Sequence, residues 1–227
     1  MEINFLGNGS AFCPERKNTS AYFEAGNKLM VIDCGETVFE ALFRKGLLRN
    51  APDIYVILTH LHADHVASLP TLISYYACIK NRQVNIISPD SSLPVLLDLM
   101  GIDRNFYRVW DPDNLPVDDI KLTCIPVTHV DDILCFGYII HSGDETVYYS
   151  GDAADISDEV LKQFFNGNIA RIYQDTCSSP SSHHCYVDVL SKRIPASDRK
   201  RIYCMHLDQI DAGYCTKYGF QVPKISI

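Results

Sequence analysis

Nine cysteines occur in the chain without a single CxxC pair; their number is odd and they are scattered from Cys13 to Cys215. That usage fits a reducing cytosol. No uninterrupted apolar run approaches membrane-spanning length, so no membrane span is expected. The opening Met1-Glu2-Ile3-Asn4-Phe5-Leu6-Gly7 lacks a basic region followed by a long apolar stretch, and a secretory signal is not expected either. Positive charge is scarce: 20 Lys and Arg stand against 28 Asp and Glu, a formal net charge of −8. Binding that relies on a broad phosphate-neutralising face is therefore disfavoured. Arg16-Lys17 and Arg199-Lys200-Arg201 are the best candidates for a local basic patch, although such short runs are usually solvated faces. Low-complexity linkers and repeats at solenoid spacing are also missing. A chain of 227 residues, 47% of them hydrophobic, then reads as one domain over 1–227 with a substantial core.

Against this background one segment stands out. Thr59-His60-Leu61-His62-Ala63-Asp64-His65 places three imidazoles and a carboxylate within six residues, and the chain has only eight histidines. It follows the apolar run Ile54-Tyr55-Val56-Ile57-Leu58, opened by Pro52-Asp53, which reads as a buried strand. His60 and His62 lie on one side of an extended or turning backbone, while Asp64 and His65 fall where a helix would begin. One segment thus offers two adjacent ligand sets. Imidazole and carboxylate suit a borderline divalent ion such as Zn²⁺ and leave it Lewis-acidic, whereas an all-thiolate site would quench it. Mn²⁺ and Fe suit the same donors. A lone buried His is more often satisfied by hydrogen bonds than by a metal. The clustering argues otherwise here.

The remaining pattern is mixed α/β. Strands are expected at 3–6, 21–25, 28–33, 54–58 and 84–88, with helices at 37–47, 66–79 and 92–100. In the second half, strands are expected at 121–128, 134–141, 146–150, 171–174 and 201–205, with a short terminal strand. Helices are expected at 157–165, capped by Ser157, and near 184–190. Three further candidate ligands stand at strand ends: His129, Asp152 and His206. Polar groups there are held by the sheet and open into a crevice.

With these residues in hand, the chain resembles the metallo-β-lactamase fold along essentially its whole length. The resemblance implies an αββα sandwich with a dinuclear metal centre at one edge of two packed sheets. Carried over by position, His60, His62 and His129 would hold one metal, Asp64, His65 and His206 the other, and Asp152 would bridge them. The two divalent ions are expected to be Zn²⁺, with Mn²⁺ as the alternative.

The fold hosts lactamases, thioesterases, lactonases, nucleases and oxygen reductases, so the metal motif does not name a reaction. Phe5-Leu6-Gly7-Asn8-Gly9-Ser10-Ala11, Asn18-Thr19-Ser20, Asp33-Cys34-Gly35-Glu36 and Phe136-Gly137-Tyr138 together look like the ribonuclease Z branch. That branch carries a catalytic His assisted by an acid. Gln174-Asp175-Thr176-Cys177-Ser178-Ser179-Pro180-Ser181-Ser182-His183-His184 matches it, with Asp175 in place of the usual Glu and His184, opening a helix, as the His. His183 is the rival for that role. Phosphodiester hydrolysis needs a proton for its alkoxide leaving group, which His184 held cationic by Asp175 would supply, while Asp64 would orient the attacking water.

Members of the branch that process transfer RNA carry a long arm between the residues matching His129 and Asp152. Here only strand, the turn Ser142-Gly143-Asp144-Glu145 and strand lie between them, so no such arm is expected. Among arm-less relatives the chain looks most like the anti-Pycsar phosphodiesterases of phages and bacteria. That resemblance implies a homodimeric, cytoplasmic enzyme that opens 3′,5′-cyclic nucleotides, acting in the host cytoplasm if phage-encoded. The alternatives are a transfer-RNA 3′-end endonuclease of the ribonuclease Z kind, another small-molecule ester or phosphodiester hydrolase, and a catalytically idle nucleotide-binding member.

Overall fold

In the strands an apolar pattern of period two on both faces decides the layering. In β3 (Lys28–Ile32), Leu29 and Val31 point to one face while Met30 and Ile32 point to the other, and all four are buried. The run after Ala51-Pro52 behaves in the same way in β4 (Asp53–Ile57), with Ile54 and Val56 opposite Tyr55 and Ile57. A strand that is apolar on both faces must be covered on both. The computed structural model, which describes residues 1–50 and 53–226, shows how; the Pro52 expected to open β4 lies outside the described residues.

The first sheet is completed by β1 (Asn4–Gly7), β2 (Ser20–Ala25), β5 (Val84–Ile87) and β6 (Tyr107–Trp110), in the order β1-β2-β3-β4-β5-β6. The second consists of β7 (Ile120–Pro126), β8 (Phe136–Ser142), β9 (Glu145–Tyr149), β10 (Arg171–Asp175) and β11 (Ile202–Met205), in the order β11-β10-β9-β8-β7. Both are mixed. β1, β2 and β3 pair antiparallel, and β3 to β6 pair parallel. β7, β8 and β9 pair antiparallel, and β9 to β11 pair parallel.

Between the sheets lies a core that includes Phe5, Phe23, Met30, Ile57, Tyr138, Ile140, Tyr149 and Tyr173. Helices α1 (Val38–Arg44), α2 (Leu47–Asn50), α3 (Ala63–Val66), α4 (Leu69–Tyr75) and α5 (Leu93–Leu99) belong to the first half. Val38, Leu42, Leu72, Leu93 and Leu97 from them pack on the outer face of the first sheet. The outer face of the second is covered through Val160 and Phe164 of α6 (Asp158–Phe165), Leu190 of α7 (Val187–Arg193) and Cys215 of α8 (Asp211–Lys217). The result is the expected αββα sandwich. Each large apolar side chain that becomes fully buried in these three layers contributes roughly 1.5–3 kcal/mol.

Several expected elements are corrected. The helix expected at 37–47 breaks at Gly46, whose φ of +73° is left-handed, so α1 and α2 are separate. The helix expected at 66–79 is divided as well. α3 already begins within the metal motif, Pro70 restarts the chain as α4, and Tyr76–Lys80 form a π-helical turn. The helix expected near 184–190 begins only at Val187, and His184 lies in the preceding loop. Strand β6 and helix α8 were not foreseen, and in place of a terminal strand the described residues there form only isolated bridges, at Gln221 and Ile225. Two termini agree closely: Ser157 caps α6 by accepting from the Val160 N–H, and Ser142 pairs with Glu145 across a two-residue turn.

Candidate metal centre

The strand directions bring one set of ends together. β1 and β3 to β6 run in one direction in the first sheet, and β7, β9, β10 and β11 share a direction in the second. Every candidate ligand follows the C-terminal end of such a strand: the His60–His65 motif after β4, His129 after β7, Asp152 after β9 and His206 after β11. Asp175 is the last residue of β10. The two sheets are tied here by Phe136 N–H donating to Thr59 O at 2.9 Å and Tyr138 O–H to Leu58 O at 2.7 Å.

The donors form two groups that share Asp152. His60, His62, His129 and Asp152 constitute one, and Asp64, His65, Asp152 and His206 the other, each with its donor atoms within 4.8 Å of one another. His65 Nε2 lies 3.2 Å from Asp64 Oδ2 and 3.3 Å from Asp152 Oδ1, and His206 Nε2 lies 3.2 Å from Asp64 Oδ2 and 3.3 Å from Asp152 Oδ2. In the first group His60 Nε2 lies 2.9 Å from His62 Nδ1, and His129 Nε2 lies 3.4 Å from the same atom.

Which nitrogen of each ring faces the centre follows from what holds the other. His65 Nδ1–H donates to Asp33 Oδ2 at 2.8 Å, His129 Nδ1–H to the His183 carbonyl at 2.9 Å, and His60 Nδ1–H to the Thr59 hydroxyl at 3.1 Å. The Thr59 hydroxyl in turn donates to Asp33 Oδ2 at 2.8 Å, while Thr59 N–H donates to Asp33 Oδ1 at 2.8 Å. Each of these rings therefore presents an Nε2 lone pair to the interior. A carboxylate or carbonyl behind an imidazole is the usual support of a metal-binding His. His65 Nε2 and Asp152 Oδ1 are buried with no hydrogen-bond partner, which suits atoms whose partner is a cation. The donor set and its orientation fit divalent metal ions, which His60, His62 and His129 would hold on one side and Asp64, His65 and His206 on the other, with Asp152 common to both groups.

Charge within the cluster is uneven. Burial holds the His60 imidazole well below its ordinary range, reinforced by the neighbouring His65. Burial is the largest influence on His65 and His206 and opposes protonation, but Asp152 together with Asp33 at His65, and with Asp175 and Asp64 at His206, outweighs it. The carboxylates thus push both imidazoles well above the ordinary value and favour positive charge at the place that a bound cation would take; with a cation there, His65 offers it the Nε2 lone pair.

Beside these groups, His184 Nδ1 lies 2.7 Å from Asp175 Oδ2, and its ring centre is 5.0 Å from that of His206 and 5.1 Å from that of His129. Asp175 is fully buried and also accepts from Ala153 N–H at 2.9 Å. Although burial disfavours the charged ring, the hydrogen bond and charge of Asp175 raise the His184 pKa above its ordinary value. The shorter Asp, standing where a Glu is usual, thus reaches the imidazole. His183 is engaged differently, through Nδ1–H to the carbonyl of His129 at 2.8 Å.

Two glycines let the backbone close around the centre. A Cβ on Gly35 would stand 1.8 Å from the carbonyl oxygen of Asp64, and one on Gly151, at φ +60°, would stand 2.7 Å from Phe136 O. Asp33, at φ +60°, and Thr59 are the supporting residues that the sequence left unassigned. Asp33 appeared there only within a Gly-containing strand-end motif, and a strand-end Asp or Thr has no signal of its own. Two of the three residues in the basic run 199–201 are used internally, while Lys200 is exposed. Arg199 donates to the carbonyls of Ile194, Ser191 and Tyr218, and Arg201 lies over the Phe164 ring and pairs with Asp198.

The family model described as anti-Pycsar protein Apyc1 matches residues 1–100 and 103–222 of the chain. The chain belongs to this family. The anti-Pycsar protein Apyc1 of Paenibacillus harenae is 26% identical over 229 residues, 93% of this chain and 92% of that protein. That of Bacillus phage 010DV004 is 23% identical over 244 residues, 96% and 93% respectively. Ribonuclease Z of Lachnoclostridium phytofermentans is 29% identical over 149 residues, 62% of this chain and 48% of that enzyme. Among solved structures, the metallo-β-lactamase fold protein YhfI from Bacillus subtilis superposes with a TM-score of 0.77 at 18% identity, covering 97% of this chain and 94% of YhfI. The short form of human tRNase Z gives 0.70 at 17% identity, covering 98% and 95%. These likenesses establish the metallo-β-lactamase fold. With the family membership and the paired His/Asp groups, the chain is a metal-dependent hydrolase. Among the described residues no helix is long and apolar enough to cross a membrane.

Proposed function

We propose that the chain is a phosphodiesterase that hydrolyses 3′,5′-cyclic nucleotides to nucleoside monophosphates and so counteracts cyclic-nucleotide signalling against phage. The observation that carries this reading is the Asp175–His184 pair at 2.7 Å, beside the two groups that share Asp152 and clustered with His206 of the second. Lactam, thioester and lactone cleavage make less demand on a cationic acid beside the reacting centre than a phosphodiester with an alkoxide leaving group does.

In this mechanism divalent ions held by His60, His62, His129, Asp64, His65, His206 and Asp152, expected to be Zn²⁺ with Mn²⁺ as the alternative, would supply charge neutralisation at the phosphoryl oxygens and a more acidic water. Asp64 orients the water that attacks phosphorus. As the bond from phosphorus to the departing ribose oxygen breaks, His184 passes its proton to that oxygen, and Asp175 stabilises the imidazolium until then. His129, held by the His183 carbonyl, and His184 flank the same side of the cavity.

The cavity has a volume of about 440 Å³, enough for a small molecule. Among the described residues that line it none is Lys or Arg, while Glu36, Asp208 and Asp211 stand at it. A polyanion gains nothing from such a lining. A cyclic nucleotide carries one negative charge and suits it better. The ribonuclease Z relatives favour a second reading, a transfer-RNA 3′-end endonuclease, but only a two-residue turn joins β8 to β9 where such enzymes carry their arm. The family resemblance also makes a homodimer in the cytoplasm the expected form.

Incubation of the purified protein with cCMP, cUMP, cAMP and cGMP, with Zn²⁺ or Mn²⁺ supplied, tests the assignment. Monophosphate products support it; no turnover of any of the four, alongside cleavage of precursor tRNA, transfers the chain to the second reading. Sedimentation measures the dimer.

A further inference from the structure

Phe12 is 94% exposed, the most exposed of the large hydrophobic side chains among the described residues, and it lines the same cavity as His129 and His206. A single apolar side chain in water is ordinary, but this ring stands at the cavity, where a bound molecule could cover it and recover the stabilisation of burial. No aromatic ring among the described residues stacks on it.

The segment that carries it is firmly held. Ser10 N–H donates to Leu207 O at 3.1 Å, Leu207 N–H to Asn8 O at 2.9 Å, and Gly9 N–H to Lys17 O at 2.9 Å. Cys13 N–H closes the turn onto Ser10 O at 3.2 Å, and the Cys13 side chain is buried immediately after Phe12. The packing beneath is tight enough that a Cβ on Gly9 would stand 2.6 Å from Arg16 Cβ. Since this turn follows β1, it rises from the same edge of the sandwich as the metal centre, next to the residue that follows His206. A bare ring on a held turn at the mouth of a reactive cavity loses little entropy on stacking.

We propose that Phe12 is the platform on which the heterocyclic base of the substrate stacks, so that it selects nucleotides over phosphodiesters without a base. This rests on the phosphodiesterase reading above. Every base has a π-face, so such a platform favours nucleotides as a class without choosing among them.

The test compares the wild type, Phe12→Ala and Phe12→Trp on a cyclic nucleotide and on the 3′,5′-cyclic phosphate of 1-deoxyribose, which has no base. Phe12→Ala is expected to raise KM for the nucleotide roughly 5- to 150-fold, the range that stacking of one base is worth. Phe12→Trp should restore it, and the loss should be confined to the substrate that carries a base. An equal loss on both substrates, or no loss on either, overturns the proposal. So does an unchanged KM with a weakened dimer in sedimentation, since a second copy would then be what covers the ring. Should the wild type turn over no cyclic nucleotide, calorimetric titration with nucleoside 5′-monophosphates separates the two ideas. Weaker binding by Phe12→Ala keeps the stacking platform while the hydrolytic reading fails; equal or undetectable binding ends both. Normal turnover with an unaffected KM removes the platform alone.

Discussion

Asp33→Asn changes one oxygen to an amide nitrogen in a fully buried carboxylate, and its effect on metal binding follows from three hydrogen bonds. The native Oδ2 accepts from His65 Nδ1–H at 2.8 Å, which leaves the Nε2 lone pair facing Asp64 and Asp152 at 3.2 and 3.3 Å. In the variant, the remaining oxygen still accepts from Thr59 N–H, and the Thr59 hydroxyl can rotate to accept from the new NH₂. His65 cannot adapt so easily. Facing a donor, it must carry its proton on Nε2, where that proton occupies the position meant for a cation. Replacing the group behind a metal-binding His costs about 10- to 100-fold in affinity, on the order of 1.4–2.8 kcal/mol. The backbone does not confound the comparison, because Asn tolerates the left-handed φ of +60° at this position as well as Asp does. Metal content after dialysis, with chelator competition for affinity, measures the outcome. The ion of the Asp64, His65, Asp152 and His206 group should be lost first, with the fold retained by circular dichroism. Retention of both ions at wild-type affinity would refute the role assigned to Asp33.

Gly35→Ala drives a Cβ to within 1.8 Å of a backbone oxygen of the metal motif, so the motif must shift. A stability loss of about 3 kcal/mol or more is expected, seen as a lower melting temperature together with reduced metal content. His184→Ala should keep its metal ions and lose kcat by roughly 10²- to 10⁴-fold, as expected for removal of a general acid, on any diester with a poorly activated leaving group. A p-nitrophenyl leaving group needs less protonation and should lose less. All nine cysteines are free, but burial separates them: Cys78 is exposed, whereas burial pushes the Cys34 thiol up to about 12. Brief alkylation of the native protein followed by mass spectrometry should therefore modify Cys78 well before Cys34, and equal labelling would contradict the packing described.

The legible part of the site was the part written locally. Thr59–His65 put four potential donors on one short segment, and the strand-end positions of His129, Asp152 and His206 could be read from the apolar runs before them. The apolar pattern by itself gave only a mixed α/β class, and the αββα layering came from the family resemblance; that strands such as β3 and β4 are apolar on both faces explains why both faces are covered. Less visible was anything whose signal is not periodic. Gly46 and Pro70 divided two helices that the apolar pattern ran together, the short edge strand β6 is half-exposed, and α8 carries only two buried residues over its seven.

Side-chain chemistry and its order along the chain thus determined by themselves that this protein gathers imidazoles and carboxylates for a divalent metal. Only the tertiary structure decided which nitrogen of each ring looks inward, that Asp33 and the His183 carbonyl enforce this, and that His184 rather than His183 meets Asp175. It also decided that the turn after β1 presents Phe12 at the mouth of the cavity. The reason is the same in each case. Spacing along a chain states which groups are available, but a hydrogen bond between residues far apart depends on the register and direction of the strands that deliver them, and those are fixed by packing across all the layers at once.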